Sequence, residues 1–454
     1  MSQKLERSLS LGGAISIIVG FVVGGSIFVL IPTLAGMTGP SLYLAYALSA
    51  IPAIFAALYL IQLGSALPVT GANYIAITRW ISPMAGFSAS LSVGIGIICT
   101  NCLVAWGFGD YISAYFPQFP KMLSAILVII FFSFINWLGV RLFEKVQVLM
   151  MLVFMIAMLV FGFGGLMNMQ PAFHVDLFPK GIGGFITVIA IASFSWGGVI
   201  AIVEVAGEVK NPKRNIPLSI IISMVIIGGL YILQTFALTS NLMWDEAAAI
   251  GSTAILVAAG KFLPAWGVNF LALGALLAMA TSVNALILMG AREMYAWSND
   301  RLIPAFFQRI HPKYKTPETS ILFIMVMSII GILFAADLEK YALMVVFGLM
   351  VVQILGATAV FRMPKAAPDI YNKAQIQFNV FWRWFTWVGC MLVFLGIFVF
   401  GFLADFKTGI VFVGIWVFSI GYWFIRKSML SKQGISLVEE MKGYNQIGLV
   451  ELDE

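Results

Sequence analysis

Two pairs of adjacent glycines lie within long apolar stretches of the sequence. The first pair, Gly24-Gly25, belongs to the run GFVVGGSIF at positions 20–28, and the second, Gly197-Gly198, belongs to the run FSWGGV at 194–199. In lipid, an interrupted helix exposes backbone N–H and C=O groups, at a cost of several kcal/mol each unless they are bound. We therefore expect two broken helices whose free N–H groups bind a carboxylate and whose free carbonyls bind a cation. Close helix packing is the other common use of such glycines.

Acidic residues follow the second glycine pair. Glu204 and Glu208 lie six and ten residues after Gly198. A carboxylate inside a membrane is costly, so a functional role is the first hypothesis for Glu204. The other interpretation of Glu204 is a buried partner for an arginine on the cytoplasmic side. We expect Glu208 to lie near the cytoplasmic end of the helix, where it caps the interface or pairs with Arg or Lys.

A later apolar stretch carries two adjacent hydroxyl groups, on Thr281 and Ser282. Such hydroxyls commonly bond to carbonyls of their own helix. Their other use is as oxygen ligands for a hard cation. The sequence contains no Walker loop, no Ser/His/Asp set and no Gly-rich dinucleotide loop, and its two histidines share no metal-ligand spacing with the three cysteines. We therefore expect no catalytic activity, no cofactor and no metal apart from a possible Na⁺.

The composition indicates a membrane protein. Of 454 residues, 61% are hydrophobic and 10% are charged, whereas soluble domains carry roughly 25% charged residues. Twelve segments have the length and apolar character of a membrane span. They lie near 12–36, 41–66, 84–115, 122–139, 144–168, 182–208, 216–240, 264–296, 318–336, 340–362, 381–404 and 409–426.

The distribution of Lys and Arg predicts the orientation of these spans. With the N-terminus in the cytoplasm, only five of the 26 basic residues lie outside, and cytoplasmic loops are those enriched in basic residues. Both termini are therefore predicted to be cytoplasmic, and residues 427–454 form a cytoplasmic tail. The net charge of +6 then reflects orientation, not a nucleic-acid partner. We expect a single transmembrane domain over 1–454, with a short external helix at 244–261.

Four stretches are similar to motifs of one known family of permeases. The run VGGSIF resembles the family's Gly-Ser-Gly-Ile-Phe turn in helix 1, although the serine here comes last. Over roughly residues 8–430, the chain resembles the amino acid–polyamine–organocation (APC) superfamily. The four stretches are VGGSIF (23–28), LPVTGANY (67–74), GEVKNPKRNIP (207–217) and the run 291–304, which contains AREMYA and DRLIP.

The resemblance implies an all-α membrane fold with a five-plus-five inverted repeat and alternating access to a central site. The first repeat is 12–168, the second is 182–362, and helices 11 and 12 occupy 381–426. It implies that the substrate carboxylate meets the backbone of the first glycine pair and that the ammonium meets carbonyls of both breaks. The residues expected to contact the substrate are Phe21, Val22, Gly24, Gly25, Ser26, Ile27, Phe194, Ser195, Trp196, Gly197, Gly198 and Val199.

Sodium-coupled transporters of this fold hold a cation between helix 1 and helix 8. The resemblance places the matching ligands at Gly20, Val23, Ala278, Thr281 and Ser282. The spacing of the last three puts them on one helix face. Many other members carry a helix-5 lysine that reaches helix 1.

By our alignment the position of that lysine is Phe154, which argues against lysine-mediated proton coupling. We therefore expect a plasma-membrane Na⁺ symporter that carries small neutral or moderately apolar amino acids. Proton coupling through Glu204, amino acid exchange and an amine or polyamine substrate remain alternatives, as does an uncoupled channel-like protein.

Overall fold

The computed structural model describes residues 7–170, 176–334 and 338–442. Within these ranges each of the twelve predicted segments coincides with an apolar helix or helix pair, and the bounds agree within a few residues. Nine helical stretches are long and apolar enough to cross a membrane, by length and composition, and three further apolar helices are shorter. The helices are α1 (Leu11–Gly25), α2 (Ile31–Thr38), α3 (Leu42–Ala66), α4 (Ala72–Trp80), α5 (Pro83–Tyr115), α6 (Lys121–Trp137), α7 (Val140–Met167), α8 (Gly181–Phe194), α9 (Ala201–Glu204), α10 (Pro212–Asn241), α11 (Trp244–Ile250), α12 (Ala254–Gly260), α13 (Ala265–Asn299), α14 (Glu318–Phe334), α15 (Leu338–Ala366), α16 (Pro368–Asn372), α17 (Val380–Ala404), α18 (Phe406–Ser431) and α19 (Leu437–Lys442).

Local sequence signals explain where several of these helices begin. Pro212 occupies the first turn of α10 and follows Asn211, whose φ is 45°. Proline suits this position because its missing N–H would have no partner there. The Asn379 side chain accepts a hydrogen bond from a backbone N–H of α17, and the Asp405 side chain does the same for α18. Such capping satisfies donors that the first turn leaves free.

Helix α13 lies at the centre of the molecule. The most apolar stretch of α13 is 83% buried, whereas the corresponding stretches of α17 and α18 are only 28% buried. Helix α13 packs against α1, α5, α6, α7 and α14. The last two long helices therefore form a peripheral layer that presents apolar side chains outward, as lipid-facing helices do.

The segment between α10 and α13 differs from the expectation. The sequence predicts one short helix there, but the structure has α11 and α12, separated by a 3₁₀ turn over Gly251–Thr253. Gly251 adopts a φ of 75°, a conformation that an α-helix does not contain. This glycine divides the segment into two helices.

Both glycine pairs lie where a long helix changes its geometry. Helix α1 continues into a π-helix over Ser26–Leu30 and then into α2. Helix α8 ends in a turn at Ser195-Trp196, which is followed by a 3₁₀ helix over Gly197–Ile200 and by α9. The expected break is therefore absent from the first of these helices, which stays helical from Leu11 to Thr38 and only changes helix type. In the second, the α-helix ends at Phe194, and a turn and a 3₁₀ helix follow.

Close packing of α15 on α5 generates a stability prediction. A Cβ at Gly348 would lie 2.6 Å from the backbone oxygen of Ser92, whereas a Cβ at Gly396 of α17 would meet nothing within 4 Å. We expect Gly348→Ala to lower the free energy of unfolding by about 1–3 kcal/mol because the backbone of α5 must shift. The matched Gly396→Ala change should leave stability unchanged or raise it slightly, since alanine favours helix. Melting temperatures of the two purified variants test this, and equal values would contradict the packing described.

Candidate functional site

Helix α1 contacts the altered segment that follows α8. A Cβ added to Gly198 would lie 2.8 Å from Val22 Cγ2 and 2.9 Å from the Phe21 ring. Gly25 ends α1, and Ser26 begins the π-helix. Glycine at position 198 thus permits a close approach that any larger residue would block.

The other predicted contact residues lie in these same two segments. Phe194 ends α8, and Ser195 starts the turn. Gly197 faces helix α15, because a Cβ there would lie 2.4 Å from Leu349 Cδ1. Ile27 and Val199 are buried, with 0% and 1% of their surfaces exposed. The twelve residues predicted from the sequence therefore lie in two segments that meet at Gly198 and Phe21-Val22.

Tyr231 of α10 connects the two segments. Its hydroxyl oxygen lies 2.8 Å from the carbonyl oxygen of Val22 and 3.1 Å from that of Ser195, so it can donate to either. Sequence reasoning missed this residue. The available signal was a tyrosine in a strongly apolar helix, because a buried tyrosine hydroxyl needs a hydrogen-bond partner.

Aromatic and hydroxyl groups from α3 complete this side of the region. The Trp196 indole donates to Ser49 Oγ over 3.0 Å, and its ring meets the Tyr231 ring edge-on at 5.3 Å. The hydroxyl of Tyr46 lies near that of Ser195. Both hydroxyls are buried, and apart from each other neither has a hydrogen-bond partner among the described residues. They are polar groups that a solute could engage.

Oxygen atoms of α1 and α13 converge where the Na⁺ ligands are predicted. The Gly20 carbonyl oxygen lies 3.1 Å from Thr281 Oγ1 and 2.8 Å from Ser282 Oγ. Thr281 Oγ1 also lies 2.7 Å from the Ala278 carbonyl oxygen. Val23 is fully buried. The structure thus brings four of the five predicted residues together.

An all-oxygen set of this kind suits a hard cation. In the present conformation the two hydroxyls donate to carbonyls. A cation between α1 and α13 would be bound by those carbonyl oxygens in place of the hydroxyl donors. The hydroxyl groups would then rotate so that their oxygen lone pairs also face the cation. The residues present therefore fit the predicted ion once the hydroxyls reorient.

Gln147 of α7 reaches the same junction. Its Nε2 donates to the carbonyl oxygens of Ser16 over 3.2 Å and Thr281 over 3.1 Å, while its Oε1 accepts from Asn284 over 2.8 Å. Phe154 lies about two turns further along α7, and Gln147 is a side chain of this helix that bonds to α1. Gln147 thus links the helices through a neutral amide, which has no titratable proton.

Glu204 lies in the interior, where it accepts a 2.9 Å hydrogen bond from Asn73 and is 2% exposed. The arginine on this side pairs with Glu208 instead. Arg292 donates to Glu208 through Nε at 2.6 Å and through Nη2 at 3.1 Å, and neither side chain is exposed. The interpretation of Glu204 as an arginine partner is therefore wrong for the described residues, and Glu208 has that role.

Three of the motif stretches meet at this end of the molecule. Besides the Arg292–Glu208 pair, Tyr74 donates to Asp300 over 2.6 Å, and Arg79 contacts the same carboxylate through two nitrogens. The backbone of Leu9 also bonds to the segment after α9, with Leu9 N donating to Glu208 O over 2.9 Å. These hydrogen bonds and ion pairs join residues distant in sequence, and they hold one end of the helix assembly closed in this conformation.

The fold and the site together define a class of protein. Over the described residues the chain is an all-helical, multi-pass membrane protein in which two helices that depart from regular α geometry contact each other in the interior. Irregular helices that meet in this way are typical of secondary transporters. The chain is accordingly a membrane permease, not an enzyme.

Comparison with known proteins specifies the family. The model for the amino acid permease family matches residues 9–430, so the chain belongs to this family of the APC superfamily and is an amino acid transporter. An uncharacterised protein of Methanocaldococcus jannaschii is 30% identical over 73% of this chain and 76% of its own length. The branched-chain amino acid permease of Bacillus subtilis is 25% identical over 81% and 83%. The methylthioribose transporter of the same bacterium is 26% identical over 83% and 85%.

The bridge made by Tyr231 gives a prediction. Tyr231→Phe removes the donor that serves the Val22 and Ser195 carbonyls, so we expect the free energy of unfolding to fall by about 1 kcal/mol. Substrate affinity should fall as well, because the two segments lose their common partner. Tyr115→Phe is the matched control, since that hydroxyl meets Asn269 at an exposed position. Thermal unfolding with and without substrate measures both effects, and a Tyr231→Phe protein identical to the control would contradict the role assigned.

Proposed function

We propose that this permease binds the main chain of a small neutral or moderately apolar amino acid between the two altered helix segments. The carboxylate meets backbone N–H groups at Gly24, Gly25 and Ser26, and the ammonium meets carbonyls of Phe21 and of the turn after α8. The observation that carries the proposal is the direct contact between Gly198 and Phe21-Val22. This contact supports the proposal because it holds the irregular backbone after α8 against α1 in the interior.

The neutral character of the substrate follows from the side chains around these segments. None of the twelve predicted contact residues carries a charge, and Trp196 and Tyr231 supply aromatic surface. A charged substrate side chain would therefore lose its hydration without gaining a partner. The name of the Bacillus subtilis branched-chain relative supports an apolar side chain. Other relatives are named cationic amino acid transporters, so basic amino acids must be part of any test.

Transport requires the two segments to separate. A Cβ at Gly198 would lie 2.8 Å from Val22 Cγ2, so no solute fits between the two segments at this point in this conformation. Opening on one side while the Arg292–Glu208 end stays sealed, and then on the other, is alternating access. We propose that the two five-helix repeats at 12–168 and 182–362 provide this motion in the plasma membrane.

For the coupling ion we propose Na⁺. The convergence of the Gly20 and Ala278 carbonyls with the Thr281 and Ser282 hydroxyls supports this choice, and the neutral Gln147 cannot replace the ion as a lysine would. Proton coupling through Glu204 is the second candidate, because this carboxyl is 2% exposed and has no arginine partner among the described contacts.

Uptake of labelled leucine into proteoliposomes tests the substrate class. We expect alanine and other neutral amino acids to compete, and we expect isoamylamine, which is leucine without its carboxylate, to compete at least about tenfold more weakly. Arginine should compete poorly, since none of the twelve predicted contact residues carries a charge. Equal competition by isoamylamine would refute carboxylate recognition, and strong competition by arginine would refute neutral specificity.

The coupling ion is tested in the same vesicles at fixed pH. We expect replacement of Na⁺ to abolish leucine accumulation, and we expect Thr281→Val to raise the Na⁺ concentration needed for half-maximal uptake about tenfold, because one oxygen ligand is lost. Thr239→Val is the matched control, because that hydroxyl bonds to its own helix at Thr235. Concentrative uptake that continues unchanged without Na⁺ would refute sodium coupling.

A further inference from the structure

Two carboxyl groups from different helices meet in the interior. Glu204 ends α9, and Glu293 lies on α13; each is 2% exposed. Helix α9 packs against α13, which brings the two carboxyl groups close enough to interact electrostatically. Sequence analysis singled out Glu204 alone, and nothing in the sequence linked it to Glu293.

Neutral donors satisfy one oxygen of each carboxyl group. Asn73 of α4 donates to Glu204 Oε1 over 2.9 Å. Ser90 of α5 donates to Glu293 Oε1 and itself accepts from the Trp297 indole over 2.5 Å. In the described part of the chain, Glu204 Oε2 and Glu293 Oε2 are buried and receive no donor. Each carboxyl group thus has one oxygen whose hydrogen-bonding capacity is unmet.

The surroundings make two negative charges untenable. Glu293 borders a cavity of about 340 Å³ whose other lining residues are almost all apolar, so water and counter-charge are scarce on that side. Ionised carboxylates that share one buried site repel strongly, and one of the two then takes up a proton. A single proton between the Oε2 atoms would satisfy both oxygens at once.

The other titratable groups nearby do not compensate the pair. On α13 and the segment after α9, Arg292 is engaged by Glu208. On α4, Arg79 and Tyr74 both contact Asp300.

On the remaining side, Tyr59 of α3 donates to Gln353 of α15 over 2.6 Å. The same tyrosine interacts electrostatically with Glu204. The groups that face the pair are therefore either neutral or committed to other partners.

We propose that Glu204 and Glu293 form a proton-binding site in which the two carboxyl groups share one proton and thereby hold α9 against α13. The site is separate from the backbone region that receives the substrate. Loss of the proton leaves two facing carboxylates, whose repulsion separates the helices at the end that Arg292 and Glu208 seal. The link to gating rests on the proposed transport function, whereas the proton itself is measured without transport.

Infrared spectroscopy of the purified full-length protein tests the proposal. At neutral pH we expect the carbonyl stretch of one protonated carboxyl group, which disappears in the double variant Glu204→Gln/Glu293→Gln. Each single Gln variant should shift or remove that band, because the partner of the shared proton has changed. Glu246→Gln, at an exposed glutamate beside Lys261, is the control and should leave the band intact.

Two outcomes would overturn the inference. One is a wild-type spectrum without a protonated carboxyl band, or a band that survives in the double variant. The other is a band that appears only when Na⁺ is removed, which would assign a metal cation to the pair instead of a proton. Leucine binding, measured by thermal shift on the same samples, should stay within about twofold in the double variant. If the wild type fails to bind leucine, the proposed substrate is wrong while the infrared result still decides the proton site.

Discussion

Side-chain hydroxyl groups of neighbouring helices donate to buried backbone carbonyls of α1 and of the turn after α8, and the arrangement of the central helices depends on these hydrogen bonds. The Gly20 carbonyl receives the hydroxyls of Thr281 and Ser282 from α13. The carbonyls of Val22 and Ser195 receive the hydroxyl of Tyr231 from α10. Side chains of α13 and α10 thus bind backbone carbonyls of α1 and of the turn after α8. In the transport function proposed above, a solute or ion replaces these bonds and the helices then move.

A different constraint applies at the end of the assembly where Arg292 and Glu208 meet, because charges that are buried must be paired. Removing one member of a buried ion pair such as Arg292–Glu208 costs about 3–5 kcal/mol, because the remaining charge is left without compensation. The Glu204–Glu293 pair lies beside this contact, and no salt bridge to either carboxyl group is found among the described residues. One end of the assembly therefore combines a strong ion pair with a carboxyl pair whose attraction depends on a single proton. That combination provides a contact that holds the helices together while the proton is bound and releases them when the proton is lost.

The sequence predicted the helices well because lipid makes hydropathy decisive. Long apolar runs between basic or proline-rich breaks can only be helices, and all twelve segments are apolar helices here. The glycine pairs and the Thr281–Ser282 hydroxyls were also found from residue type alone. The detailed geometry of these helices was not predicted, because a pair of adjacent glycines is compatible both with a π-helix and with a complete break.

Contacts between distant residues were beyond a single sequence. Tyr231 is 209 residues from Val22, and no local pattern pairs them. Glu293 is adjacent to Arg292, which suggests a local charge pair. Neighbouring residues on a helix do not face each other, however, and the two side chains contact different partners. Only the packing of α9 against α13 shows that Glu293 belongs with Glu204.

A density map of the protein with a bound neutral amino acid tests the central claim most directly. The account predicts solute density between the backbone at Gly24–Ser26 and the turn at Ser195-Trp196, with the carboxylate on the N–H groups of the first segment. Regular α-helix through both glycine pairs, or an amino acid bound by side chains elsewhere in the assembly, would contradict it.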